Sequence, residues 1–156
     1  MLIENLKDEI RVLDSMIQAF RGLESAMLNK QPEMVSKYAL SIEELSLEIS
    51  LIESEREKLL QELGYSSVRQ YVESKDGDDV SQVAYLSAEI VEKLNELTIV
   101  MDGIRQIVEF ENYYFELLNN LVRGVNPSSN YSYNQNRQGV NSYIQTNDNP
   151  RYDRLK

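Results

Sequence analysis

Carboxylates are the side chains through which this sequence could most readily do chemistry. Paired Asp or Glu side chains can serve as a general acid and base or hold a divalent cation. The chain has no histidine and no cysteine, so it lacks the usual neutral-pH base, the commonest metal ligand and the thiolate nucleophile, and it has no glycine-rich phosphate loop. We therefore interpret the central glutamates as the solvated face of a helix, and we expect neither an enzyme nor a bound cofactor. These glutamates are Glu43, Glu44, Glu48, Glu53, Glu55, Glu57 and Glu62.

The net charge of −10 is spread unevenly along the 156 residues. Residues 1–124 carry 24 acidic and 12 basic side chains, whereas residues 125–156 carry two and four. An acidic body repels phosphate backbones and anionic lipid, so neither nucleic acid nor a membrane surface is an expected partner. The N-terminal sequence MLIENLKDEI is too charged for a secretory signal, and no run reaches the roughly 20 apolar residues of a membrane span. We expect a cytoplasmic protein without membrane insertion.

Apolar residues recur at alternating spacings of three and four, which is the pattern of helices that are buried along one face. Because the connections between these segments are short, neighbouring helices should lie antiparallel. The sequence therefore predicts an all-α protein, an elongated antiparallel helical hairpin or three-helix coiled-coil bundle, over residues 1–124. The connector at 64–78 should contain a short helical turn that Ser66 or Ser67 caps. The three predicted helices cover about 2–28, 32–63 and 79–124.

Two charged residues interrupt the otherwise apolar seams of the first two predicted helices. Glu9 stands in the first seam among leucine, methionine and phenylalanine, and Arg56 stands in the second among valine, isoleucine, leucine and tyrosine. The third seam runs for more than five heptads without a proline, so we expect one continuous helix. Its positions are Val83, Ser87, Ile90, Leu94, Leu97, Met101, Ile104, Val108, Glu111, Phe115, Leu118 and Val122.

The far end of the third predicted helix is apolar over a wider arc than its start. If this helix begins beside the end of the second, about 14 of its residues, or roughly 21 Å, outrun that neighbour. The stripe one residue before the seam is mostly polar over 82–96 and mostly apolar over 100–121. Since each large apolar side chain is worth about 1.5–3 kcal/mol on burial, the surplus predicts a protein partner. The expected binding residues are Ile107, Phe110, Tyr114, Phe115, Leu117, Leu118, Leu121 and Val122.

Two alternatives account for the same apolar surplus. These side chains could contact the first helix while the seam contacts the second, which would close an ordinary three-helix core. Two copies of the chain could also pair through their far ends and form a homodimer.

Residues 125–156 differ from the rest of the chain because they show neither a helical nor a strand period. They include seven Asn, four Ser, three Gln and four Tyr. Such a segment cannot bury enough apolar area to offset its ordering entropy, so we expect a flexible tail. An inert solubilising terminus is one interpretation, but tyrosines can also anchor a flexible segment on a partner. The candidate anchors are Tyr131, Tyr133, Tyr143 and Tyr152.

Several features occur here in the order found in a known protein family. A leucine-rich first helix ends at the break LNKQPE (28–33), and the second helix closes in SEREKLLQELG (54–64). A long third helix follows, and the polar tail contains Tyr-Asp-Arg at 152–154. In this order and spacing the chain resembles the FlgN family of flagellar export chaperones over nearly its whole length.

The resemblance implies a cytoplasmic chaperone of the flagellar type III export apparatus. Such a protein binds hook-filament junction proteins, whose termini are unfolded until they assemble as helices, prevents premature assembly and delivers them to the export gate. The family's client-binding region corresponds to residues 110–122, and Tyr152 matches a tail position that docks at the gate. From the residues alone, a coiled-coil scaffold and an acidic regulatory adaptor stay open as alternatives.

Overall fold

The computed structural model describes residues 1–124. Every regular element in this part is an α-helix, which confirms the predicted all-α class and its long last helix. The predictions for residues 125–156 lie outside the described residues. The chain divides into two units, Met1–Val108 and a second one that begins at Glu109. The helices are α1 (Leu2–Leu28), α2 (Pro32–Glu62), α3 (Val68–Ser74) and α4 (Asp78–Val122).

The helix ends follow from local chemistry. Pro32 occupies the first turn of α2, where its missing N–H has no intrahelical partner to lose. Gly64 follows the end of α2 with a φ of 83°, a left-handed conformation that glycine adopts without steric cost. The Ser67 hydroxyl accepts a hydrogen bond of 3.1 Å from the Gln70 backbone N–H, and so caps α3 as predicted. The Gln70 side-chain oxygen in turn accepts from the backbone N–H of Ser66 at 2.7 Å.

The core of the first unit is built around α1, which supplies five of the ten members of its buried apolar cluster. Leu6, Leu13 and Val83 are almost completely buried. The connector closes one end, since Tyr65 and Tyr71 are half-buried against the same cluster. The cluster consists of Leu2, Leu6, Leu13, Met16, Ile17, Leu60, Val83, Leu86, Ile90 and Leu97.

Helices α1 and α2 run antiparallel, as the short connection between them predicts. Near the start of α1, Asn5 Nδ2 donates a hydrogen bond of 2.9 Å to the backbone oxygen of Ile52, which lies late in α2. Near the end of α1, Gly22 lies against the ring of Tyr38, which is early in α2.

Helices α1 and α4 run in the same direction. Asp14 and Lys93 form an ion pair of 2.6 Å, and further along both helices Glu24 lies beside Gly103. The hydrogen bond from Lys93 to Asp14 raises the pKa of this lysine. The positive charge that Lys93 brings to this pair is therefore present at neutral pH and is lost as the pH rises through the raised pKa.

The buried side of α4 is rotated by about 50°, half of the angle between successive residues, from the predicted seam. The seam placed Leu94 and Met101 inside, and this was wrong, because both side chains are exposed. Leu86 and Val100, on the neighbouring stripe, are buried instead. Lys93 explains the difference, since it counts as polar in the pattern while its half-buried stem packs like an apolar side chain beside Asp14. The predicted seam holds at Val83, Ile90 and Leu97.

The two charged residues that interrupt the first two seams pair with each other. Glu9 is only 3% exposed, and its Oε2 accepts a hydrogen bond from Nη1 of Arg56. Burial lowers the pKa of Arg56, but a guanidinium stays charged under ordinary conditions. The pair therefore matches a buried negative charge with the only positive group hydrogen-bonded to it in the described structure.

Replacing Arg56 by Met should destabilise the fold by about 3–5 kcal/mol, because the Glu9 carboxylate would stay buried without its counter-charge. The double variant Glu9→Met with Arg56→Met should recover most of this loss, since no charge then remains to be desolvated. Urea unfolding followed by circular dichroism measures both free energies. A single variant as stable as the unaltered chain would contradict the assigned pairing.

Replacing Gly22 by Ala should be destabilising, although Ala is favoured over Gly in a helix by about 1 kcal/mol. The added Cβ would collide with the Tyr38 ring. The sign should reverse in a Tyr38→Ala background, where Gly22→Ala should stabilise the protein by about 0.5–1 kcal/mol. Gly103→Ala is a matched control that should stabilise, because its Cβ would meet only the flexible Glu24 carboxylate, at 3.4 Å. Parallel effects of Gly22→Ala in both backgrounds would exclude the close contact.

Candidate protein-binding surface

The described part of the second unit consists of the last turns of α4 followed by Arg123 and Gly124. None of its side chains is buried. Phe110 is 68% exposed, Tyr114 is 52% exposed and Leu121 is 55% exposed. The alternative in which these residues lie inside a closed three-helix core is therefore wrong.

The apolar side chains of this unit share one side of the helix. Since successive residues advance by about 100°, Phe110, Tyr114, Leu117, Leu118 and Leu121 fall within an arc of roughly 100°. Phe115 and Val122 extend this arc to about 160°, nearly half of the helix circumference, and Glu111 is the one charged residue that falls within it. We call the seven apolar residues the 110–122 face. The remaining side carries Glu109, Asn112, Glu116, Asn119 and Arg123.

The structure places nearly all of the predicted binding residues within this face. Leu117 is half-buried, and the other six members are exposed. Ile107, the eighth predicted residue, belongs to the first unit and is half-buried there. Tyr113 was missed by the sequence analysis because it lies off both stripes, although half of it is exposed. The tail positions Tyr131, Tyr133, Tyr143 and Tyr152 lie outside the described residues.

Burying an exposed apolar surface of this kind against a partner would release a large free energy. Each large apolar side chain contributes about 1.5–3 kcal/mol when it is fully removed from water. Contiguous apolar patches on a protein surface usually mark a binding site, and aromatic residues are favoured at the centre of such sites. The 110–122 face contains three aromatic rings and four aliphatic side chains, so it can hold an apolar partner surface.

The acidic residues of α2, in contrast, all lie at the surface. The seven central glutamates are all exposed, which confirms their interpretation as a solvated helix face. No cluster of three or more potential metal ligands is present in this part of the chain. None of the helices between residues 1 and 124 has a segment apolar and long enough to cross a membrane.

The connector carries an aromatic cluster that already contains its own cation. The rings of Tyr65 and Tyr71 meet edge to face with centroids 5.2 Å apart, and Lys75 Nζ lies 5.6 and 5.2 Å from them. These contacts hold the connector together. The adjoining open cleft has a volume of about 570 Å³ and carries one carboxylate, that of Glu57. It is lined by Glu57, Gln61, Gly64, Tyr65 and Ser66.

Comparison of the chain with protein-family models, with curated proteins and with solved structures found no match.

Proposed function

We propose that the protein is a chaperone that holds an amphipathic helix of a client protein on the 110–122 face. The observation that carries this proposal is a largely exposed arc of about 160°, apolar except for Glu111, on a helical segment of 13 residues. A segment of this length is about 20 Å long, or between three and four helical turns, so it can pair with one client helix of similar length. Helix-on-helix docking of this type uses anchors at i, i+3, i+4 and i+7, the spacing at which the face presents its own side chains.

The chemistry of the face also indicates what the client should be like. An amphipathic helix buries an apolar stripe at least about 100° wide, so its stripe matches the central five residues of the face. When a client segment is unfolded before binding, the entropy lost on ordering offsets part of the free energy of binding. Its affinity should therefore be modest for the area that it buries. Release would then need no nucleotide hydrolysis by this protein.

The resemblance to the FlgN family supports a specific version of this proposal. The clients would be hook-filament junction proteins, held in the cytoplasm through their terminal helices so that they cannot assemble prematurely, and then delivered to the flagellar export gate. The region that holds clients in that family corresponds to the 110–122 face. Tail tyrosines, Tyr152 foremost, would dock at the gate.

The double variant Tyr114→Glu with Leu121→Glu should weaken client binding by at least about 100-fold, because two large side chains that are each worth about 1.5–3 kcal/mol would become charged. The probe is a terminal-helix peptide of a hook-filament junction protein, measured by isothermal titration calorimetry against the full chain. Circular dichroism should stay unchanged, since both side chains are exposed.

The matched control for this experiment is Asn112→Glu with Asn119→Glu, which adds the same charge to the polar side of the same helix. It should change client affinity by less than about threefold. Equal losses in the two variants would mean that charge alone is measured and would overturn the assignment. A dimer that does not dissociate on dilution and buries the 110–122 face would instead favour a coiled-coil scaffold.

Deleting residues 125–156 separates the two proposed roles. Client affinity should stay within about threefold of the full chain, because the binding energy lies in the 110–122 face, whereas binding to the isolated export-gate component should be lost. Both are measured by calorimetry on the truncated chain. Survival of gate binding would make the tail an inert terminus.

A further inference from the structure

A second unpartnered apolar stripe lies on the first unit, on the outer side of α2. Leu40, Leu47 and Leu51 are 59%, 64% and 67% exposed, although leucine is a core residue type. Their spacings of seven and four place them within about 40° of one another on the helix. The residues that α2 turns toward the core, Leu45, Ile49 and Ile52, lie about half a turn away. We call the stripe of Leu40, Leu47 and Leu51 the α2 outer face.

Carboxylates flank this stripe on both sides. Glu44, Glu48 and Glu55 lie along one edge, and Glu43 and Glu57 lie along the other. All five are exposed, and none forms an ion pair with a described residue.

The basic residues of α2 are too few to neutralise these carboxylates, and Arg56 is the one that attracts Glu57. α2 contains eight acidic and three basic residues. One of the three, Arg56, is already paired with Glu9. Lys37 lies near the start of the helix, and Lys58 lies beyond the third leucine of the stripe. The stripe is therefore an apolar surface with a negative border.

We propose that the α2 outer face docks a basic amphipathic helix of another protein. The partner would present leucine-like side chains to Leu40, Leu47 and Leu51 and place Lys or Arg opposite the glutamates on both edges. A second copy of this chain is a poor occupant, because pairing α2 with α2 would set glutamates against glutamates. Anionic lipid and nucleic acid are repelled by the same border. This site is separate from the 110–122 face and does not depend on the proposed chaperone function.

The direct test uses a designed probe with the full-length chain. The probe is a fluorescein-labelled helical peptide of 18 residues with leucines along one stripe and lysines on both sides; its control has glutamates in place of the lysines. Fluorescence anisotropy should show at least tenfold tighter binding of the lysine peptide. Raising the salt from about 0.1 M to 1 M shortens the Debye length from about 10 Å to 3 Å and should weaken binding by at least tenfold. Equal binding of the two peptides, or no binding of either, would overturn the proposal.

Substitutions locate the peptide on the protein. Leu47→Gln with Leu51→Gln should weaken binding at least tenfold, because glutamine keeps helix propensity and removes the apolar contact. Tyr85→Gln with Ile99→Gln alters two side chains of α4 that are equally exposed, and it should leave binding within about twofold. Glu44→Gln with Glu48→Gln should weaken binding and reduce its salt dependence.

Two further outcomes would reject the α2 outer face. If Tyr114→Glu with Leu121→Glu abolishes peptide binding while the Leu47 and Leu51 variant keeps it, the peptide lies on the 110–122 face. If the unaltered chain dimerises in sedimentation experiments and the Leu47 and Leu51 variant does not, a second copy occupies the stripe. A loss of client binding without a loss of peptide binding concerns only the proposed chaperone function.

Discussion

The burial of α1 is the constraint on which the first unit depends. Its buried positions, from Leu6 through Glu9 to Val12 and Ala19, sweep about half of the helix circumference, which is more than one neighbouring helix can cover. Helix α2 therefore approaches from one direction and α4 from another, each contributing to the same apolar cluster. Because the covered arc is so wide, it also includes polar positions, and these need partners. Asn5 Nδ2 donates to the backbone oxygen of Ile52, while Asn5 Oδ1 has no hydrogen-bond partner in residues 1–124, and Glu9 accepts a hydrogen bond from Arg56. The Glu9 pair is thus a consequence of how much of α1 is enclosed, and it ties α2 to α1 at a defined register.

The width of the apolar arc also determines how much neighbouring surface the 110–122 face needs. A helical segment whose mostly apolar arc is about 160° wide needs nearly as much covering surface from its neighbours as α1 does. Two helices of the same chain cover α1, whereas Phe110, Tyr114 and Leu121 are exposed to water. Under the proposed function, a client helix of matching length and chemistry covers this face. The aromatic content of the face favours tight packing of a partner without many charged contacts.

The two exposed apolar surfaces of the chain differ in the charged residues around them. Residues 1–124 carry 24 acids against 12 bases, so copies of this part repel one another at low salt while the apolar faces stay available. The two surfaces differ in what surrounds them. The 110–122 face is broad and aromatic, and the α2 outer face is narrow, aliphatic and bordered by glutamates. Partners for the two surfaces should therefore differ in charge.

The sequence by itself determined those features that depend only on residues close together along the chain. Periodicity, Pro32 and Gly64 located α1, α2 and α4 to within two residues, and Ser67 located the start of α3. The widening of the apolar arc near Phe110 was visible for the same reason, since an arc is a local property of one helix. Only the tertiary structure decided which side of the apolar arc of α4 is buried in the core. It put Leu86 and Val100 inside in place of Leu94 and Met101, and it joined Glu9 to Arg56 across 47 residues. A pattern drifts by about 20° per heptad and scores a lysine stem as polar, so only the contact with α1 could settle the rotation of α4.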